Sequence, residues 1–315
     1  MDKQAVPETM LQAVRQFADP QVAHDFFTQI RFPNGVACPR TGCGSADVTF
    51  YPKHLRWYCR ECRRQFSAKV GTIFEDSPIG LDKWLPAVWL IASNRNGISS
   101  YELARGLGVT QKTAWFMLHR IREAMTDDST DLLTGTIEAD EAYIGGKWHN
   151  KPNKVRKAAD ASVVRQRAWQ SKTAVFGMIE RKGRVRAFKV PAVSHKSLLP
   201  KLLSSISPDA TLYTDESQLY KHINEYFLHH ASVSHSAQEY VRGDVHTNNI
   251  EGFWAVLKRT IGGTYTHVDP RHLDRYLAEQ VCRFNEREAE DGARFAKVTK
   301  AADGKRLTYK ALTAK

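Results

Sequence analysis

Two kinds of residue in this chain are spaced for chemistry. Cys38 and Cys43 flank PRTG, Cys59 and Cys62 flank RE, and fifteen residues separate the pairs. Close cysteine pairs at the tips of two hairpins can bring four thiolates tetrahedrally onto one zinc ion. Disulfides and a redox CxxC are the alternatives; the redox motif needs a helix after it, and RRQFSAKVGTIF reads as strand. The spacing therefore predicts a ribbon holding one structural zinc. The second kind is carboxylate. TIEADEAYIGG carries Glu138, Asp140 and Glu141, DATLYTDES ends in Asp215 and Glu216, and HTNNIEGFWAVLKR carries Glu251. Three carboxylates from three distant segments can hold two magnesium (or manganese) ions about 4 Å apart, which clamp the attacking and leaving oxygens of an in-line phosphoryl displacement. Magnesium prefers carboxylate oxygen to thiolate or imidazole. With 34 acidic residues in the chain, this set is one choice among several on composition alone.

These residues need elements to position them. In HTNNIEGFWAVLKR, Thr247 or Asn248 can cap a helix with a short polar side chain. Ile250, Phe253, Trp254, Leu257 and Ile261 recur at helical spacing and predict a buried stripe; Asn248, Glu251, Ala255 and Lys258 form a second face. TIEADEAYI reads as a strand. Strand neighbours point to opposite faces, so Asp140 and Glu141 are not expected to serve one site on the same sheet face. TAVFGMIERKGRVRAFKV predicts two strands about a turn at Lys182–Gly183. A helix, the strand ending at Asp215, the helix QLYKHINEYF, the strand HHASVSHS and two closing helices follow. This alternation predicts a mixed sheet with helices on its faces over 136–288. Residues 147–172 form a strongly basic insertion, read as a loop, and 289–315 a basic C-terminal tail or edge element.

Upstream, residues 1–35 read as short helices. The ribbon spans 36–75 and is itself basic, through Lys53, His54, Arg56, Arg60, Arg63 and Arg64. Residues 76–126 read as helices. NGISSYELARGLGV and TQKTAWFMLHRIREAM, joined by a glycine-containing turn, fit a helix-turn-helix. Its second helix would offer Gln111, Lys112 and Thr113 to base edges or phosphates, with Trp115, Phe116, Leu118 and Ile121 facing the core. The acidic stretch TDDSTDLLTG marks a boundary. The fold class is thus multidomain α/β.

The 315 residues carry a formal net charge of +12 and a pI near 9.5, which suggests a polyanionic partner. No secretory pattern opens the chain, and its longest apolar run, Leu85 to Ala92, is far too short for a membrane span. Four of five cysteines cluster, as expected of metal binding in a cytoplasmic chain; Cys282 reads as an ordinary buried thiol.

Taken in order, CPRTGC…CREC with RRQFS and GTIF after it, the helix-turn-helix, IEADEAYIGGK, LYTDES, HTNNIEGFWAVLKR and GGTYTHV…RFNER resemble a zinc-ribbon insertion-sequence transposase of the ISXO-like group, over roughly residues 25 to 288. The resemblance implies an RNase H-like DDE catalytic domain. By motif position Asp140 is its first aspartate, Asp215 its second and Glu251 its glutamate, 36 positions further on. Lys258 matches the basic residue that touches DNA near the scissile phosphate, with Arg259 beside it, and Asn248 can hydrogen-bond the site or DNA. The implied reaction cuts the strand at the element's end with a metal-activated water, leaving a 3′ hydroxyl that attacks target DNA. No covalent protein–DNA intermediate is needed, so Tyr143, Tyr213 and Tyr220 read as packing or edge residues. His229, His230, His235 and His246 read as donors or basic surface in preference to a second zinc site. The implied partners are double-stranded DNA (element ends and target) and further copies of the chain, at least a dimer on DNA, at the nucleoid. The alternatives are a catalytically silent DNA-binding protein, an RNase H-like nuclease that cuts without joining, and a zinc-ribbon transcription factor. The C-x4-C spacing of the first pair is the one departure from the ribbon pattern.

Overall fold

The computed structural model describes residues 4–146, 172–215, 218–220, 223–233 and 241–314. The basic insertion expected at 147–172, apart from Lys172, lies outside the described residues, as do Glu216 and His235. The chain forms two compact units, one of Met1–Thr126 with Glu286–Lys315 and one of Asp127–Asn285.

The first unit is organised around an apolar helix. Helices α1 (Met10–Phe17) and α2 (Pro20–Arg31) start where the chain supplies caps: Thr9 with Gln12 in a reciprocal capping box, and Asp19 ahead of Pro20. Three short strands follow, β1 (Val48–Tyr51), β2 (Arg56–Cys59) and β3 (Arg64–Ser67), paired antiparallel in sequence order. Helix α3 (Leu81–Ser93) buries nine side chains, Trp84, Leu85 and Val88 among them, and packs against α1 and α2. Helices α4 (Ser100–Leu107) and α5 (Gln111–Ala124) are joined through Gly108, whose φ of 60° makes a left-handed C-cap that suits glycine. Ser99 with Glu102 in a capping box, and Thr110, cap these helices.

Residues 289–315, expected to be a tail or edge element, instead contribute to this core. Helix Asp291–Lys300 packs on α3, and Phe295 is fully buried against Phe17 and Phe26, with ring centroids 5.8 and 5.7 Å apart. Leu307 and Leu312 are also buried, and Thr308 caps a short helix, Tyr309–Thr313. The charged face of this segment hid an apolar spacing, Phe295 and Val298, that is helical. Arg31 ties the two chain pieces together, bonding Asp303 at 2.9 Å and the Ala68 carbonyl at 2.6 Å.

The second unit is a five-stranded mixed sheet flanked by helices. Its strands are β4 (Thr136–Ile144), β5 (Thr173–Glu180), β6 (Val185–Lys189), β7 (Thr211–Asp215) and β8 (His229–Val233), in the order β6-β5-β4-β7-β8. β4, β5 and β6 are antiparallel neighbours; β7 runs parallel to β4 and β8 parallel to β7. Helix α6 (His195–Ser205) brings Leu198 and Leu202 to one face, against Ile137, Phe176, Met178 and Leu212. Helices α7 (Asn248–Thr260) and α8 (Leu273–Asn285) cover the other face, placing Ile250, Phe253, Trp254, Leu257 and Leu277 on Ala142, Val175 and Ile179. Four residues of the predicted stripe, Ile250, Phe253, Trp254 and Leu257, are thus buried, with Ile261 half-buried just past the end of α7, and Asn248, Glu251, Ala255 and Lys258 are exposed. The helix expected over QLYKHINEYF is a correction: its described residues form two 3-10 turns, Gln218–Tyr220 and Ile223–Glu225, which turn Tyr220 and Ile223 into the core.

Candidate active site and metal centre

The ribbon strands bring the four cysteines together. Cys38 Sγ lies 3.8 Å from Cys62 Sγ, Cys43 Sγ lies 3.6 Å from Cys59 Sγ, and all four sulfurs fall within 4.8 Å of one another. A tetrahedron of zinc–sulfur bonds of about 2.3 Å has sulfur–sulfur edges of about 3.8 Å, so the cage fits zinc. Burial pushes the Cys38 thiol up to about 12, while the Cys62 amide pulls Cys59 down to about 7. Four thiolates this close need a central cation to coexist. The knuckles depend on left-handed backbone at Gly42, Gly44 and Arg63 (φ 82°, 68° and 56°). Arg63 and Arg64 are exposed beside the cage.

In the second unit, Asp140 in the middle of β4 and Asp215 at the end of β7 meet, and Glu141 joins them: one carboxylate oxygen from each lies within 4.8 Å of the others. Asp140 and Glu141 leave opposite faces of β4, as strand alternation expects, yet their carboxylates meet. The ladder between β4 and β7 ends at Glu138–Tyr213, so the strands part just before Asp140. Side chains from both sheet faces can reach into the gap that opens there. The Glu141 amide donates to the Asp140 carboxylate, and Trp254 Nε1 donates to Asp140 Oδ2 at 3.1 Å. From the other face, the buried Tyr220 hydroxyl donates to Glu141 Oε1, so Tyr220 does more than pack. Burial raises Asp140 to about 6, with the charges of Asp215 and Glu251 adding to the shift. Burial raises Glu141 to about 7, partly offset by the Tyr220 hydrogen bond. Three carboxylates held this close are disfavoured as anions until cations neutralise them, and their hard oxygens suit magnesium or manganese.

Glu251 sits in the first turn of α7, exposed, outside that group of three. It is near enough for its charge to act on Asp140, and Thr247 Oγ1 donates to its Oε1 at 2.9 Å. The strand residue Glu138, which the sequence placed beside Asp140 without a role, is fully buried against the start of α7.

With this geometry established, comparison with known proteins finds two matching domains. Residues 132–285 match the ISXO2-like transposase domain, and residues 19–65 match the transposase zinc-ribbon domain. The chain carries an ISXO2-like transposase domain preceded by a transposase zinc ribbon. A protein of Halobacterium salinarum, named "Uncharacterized protein in transposable element ISH50", is 29% identical over 272 residues, covering 84% of this chain and 90% of its own length. A Haemophilus influenzae protein named "Uncharacterized transposase-like protein" is 29% identical over 107 residues, covering 34% of this chain and 85% of its own length.

The other sequence-predicted residues of the chain fall as follows. Lys258 and Arg259 are exposed two turns beyond Glu251 on α7, roughly 10 Å along its axis. Lys258 lines a cavity of about 420 Å³ with Tyr143, Gly145, Gly146, Lys172 and His267. Asn248 is exposed at the first position of α7. At the start of α5, Gln111 Nε2 donates to Ser100 Oγ at 2.8 Å, Lys112 lies 5.0 Å above the Tyr309 ring, and the Thr113 and Thr110 hydroxyls are 2.8 Å apart. His230 bonds Thr214 Oγ1 at 2.9 Å and His246 lies 3.2 Å from Glu138. Among the described residues, only the cysteine cage and the carboxylate group form metal-competent clusters. No described helix is long and apolar enough to cross a membrane. Sequence reasoning missed Glu141, Tyr220 and Gly177. The Gly177 position faces Trp254 so closely that an added Cβ would lie 2.6 Å from the indole.

Proposed function

We propose that this protein cuts DNA at the ends of its insertion element and joins the freed strand to target DNA, using Asp140, Asp215 and Glu251. One observation carries the reading: carboxylates from two parallel neighbouring strands converge where the ladder opens, with a third acid on the helix beside them. Divalent ions bound there would neutralise the phosphate and activate the attacking hydroxyl. Asp140 is oriented by Trp254 and by the Glu141 amide, so its oxygens are fixed before substrate arrives. Glu141 is a further ligand candidate, held by Tyr220. Lys258, its amine exposed on the same helix face as Glu251, would hold the DNA backbone, with Arg259 beside it and Asn248 at the helix start. No tyrosine or serine nucleophile is required.

Recognition of the ends falls in this reading to the first unit. The cysteine cage holds one structural zinc, and Arg63 and Arg64 offer charge to phosphates. α4 and α5 act as a helix-turn-helix, with Gln111, Lys112 and Thr113 exchanging their internal bonds for DNA. The net charge of +12 supports a polyanionic partner. Two ends must be joined, so the working species is at least a dimer on DNA.

The test is magnesium-dependent cleavage and joining on the DNA flanking this reading frame. Wild type should do both; Asp215→Ala and Glu251→Ala should each lose on the order of 100-fold or more, with DNA binding retained. Equal cleavage by Asp215→Ala would remove the catalytic assignment. Cleavage without joining would make the protein a nuclease.

A further inference from the structure

Helix α7 does not use the cap its own sequence offers. Thr247 occupies the N-cap position and is buried, yet its side chain bonds no backbone amide of the helix. The open amides are taken from the sheet. Glu138 Oε2 accepts from the amides of Asn249 at 2.8 Å and Ile250 at 3.2 Å. Its Oε1 accepts from Asn249 Nδ2 at 2.7 Å and Arg181 Nε at 2.8 Å, and His246 Nδ1 lies 3.2 Å away. A wholly buried carboxylate is costly unless fully paired, and this one is. Its negative charge also sits where the helix dipole favours an anion. Arg181 extends the clamp, donating to the His246 carbonyl at 3.2 Å and lying 4.9 Å over the Tyr213 ring.

Relieved of capping, the Thr247 hydroxyl turns to Glu251 and donates to its Oε1. An exposed glutamate in the first turn of a helix otherwise samples several rotamers. Here one oxygen is tied to a buried threonine whose position the Glu138 clamp sets.

We infer that Glu138 and Thr247 are positioning residues for Glu251: Glu138 caps α7 from strand β4, which frees Thr247 to hold the Glu251 carboxylate toward Asp140 and Asp215. This rests on the reading of Glu251 as part of the divalent-ion site. Neither residue touches substrate. Their role resembles that of outer hydrogen-bond partners in metal sites, whose removal commonly weakens metal binding by about 10–100-fold.

The test is calorimetric titration of Mn²⁺ into the full chain, with thermal melting measured beside it. Thr247→Val keeps shape and removes the hydroxyl; it should bind Mn²⁺ on the order of 10-fold more weakly with little change in melting temperature. Thr247→Ser should restore binding. Glu138→Gln should weaken binding too, and Glu138→Gln with Thr247→Val together should be no weaker than Glu138→Gln alone, because both act through one carboxylate. Glu251→Gln is the control. If Glu251→Gln binds weakly and Thr247→Val binds as wild type, the positioning role is overturned and the reading of Glu251 stands. If neither variant weakens binding, both are overturned. Failure of Thr247→Ser to restore binding also overturns the role of the hydroxyl.

Discussion

Gly177→Ala should destabilise the second unit, although alanine is ordinarily the better strand residue by about 0.5–1 kcal/mol. Gly177 pairs with Asp140 across β5 and β4. An added Cβ would lie 2.6 Å from Trp254 Cζ2, 2.7 Å from Cη2 and 3.1 Å from Ile250 Cδ1. Carbon contacts settle near 3.5–4.0 Å, so the indole must withdraw by about 1 Å. That movement stretches the 3.1 Å bond from Trp254 Nε1 to Asp140 to about 4 Å, which is no longer a hydrogen bond. Overpacking of this kind costs about 1–3 kcal/mol. For a unit of this size the midpoint should fall by roughly 3–10 °C. Thermal or urea unfolding of Gly177→Ala, Trp254→Phe and the double variant measures it. With phenylalanine the two clashing indole atoms are gone and only the 3.1 Å contact with the Ile250 methyl remains, so alanine at 177 should cost less than about half as much in that background. A stabilised Gly177→Ala, or an equal penalty with and without the indole, would refute the reasoning.

Three further outcomes follow from the same geometry. Asp140 and Glu141 have folded-state values raised to about 6 and about 7, above their unfolded values. Without divalent ions, stability should therefore be highest below about pH 4 on their account and fall as pH rises to about 7; the melting-temperature gain from added Mn²⁺ should grow over the same window, and a pH-independent gain would contradict it. Chelation should release one zinc per chain and expose the β1–β3 amides to hydrogen exchange, while β4 to β8 keep their protection; no zinc at all would end the cage assignment. Phe295→Ala should cost about 3–5 kcal/mol in the first unit, read by urea unfolding, since the ring is buried between Phe17 and Phe26; a cost below about 1 kcal/mol would return residues 289–315 to the status of a tail.

Local signals were legible in the sequence and tertiary ones were not. The cysteine spacing, the strand around Asp140, the strand ending at Asp215 and both faces of α7 could be read because each rests on a period or a short interval along the chain. Strand alternation set Glu141 on the opposite face from Asp140, and it holds; what stayed hidden is that β7 parts from β4 after Glu138, so the two carboxylates can meet there. The capping role of Glu138 escaped because cap rules look to neighbours in sequence, and its amides are 111 and 112 positions away. Gly177 carries meaning only once Trp254 lies across it. The terminal helix was hidden by its lysines and arginines, though Phe295 and Val298 carried a readable spacing.

The first unit is assembled from two pieces of chain with the entire second unit between them. Order of synthesis then becomes a property of the fold. A ribosome adding about 5–20 residues per second needs on the order of 10–30 s to pass through Asp127–Asn285. Throughout that interval Phe17 and Phe26 wait without Phe295, and the Arg31 guanidinium waits without Asp303. The carboxylate-bearing sheet can thus mature while the ribbon-bearing unit is still open on one side. A nascent chain halted near residue 285 would carry its acids in place and its ribbon unit unfinished.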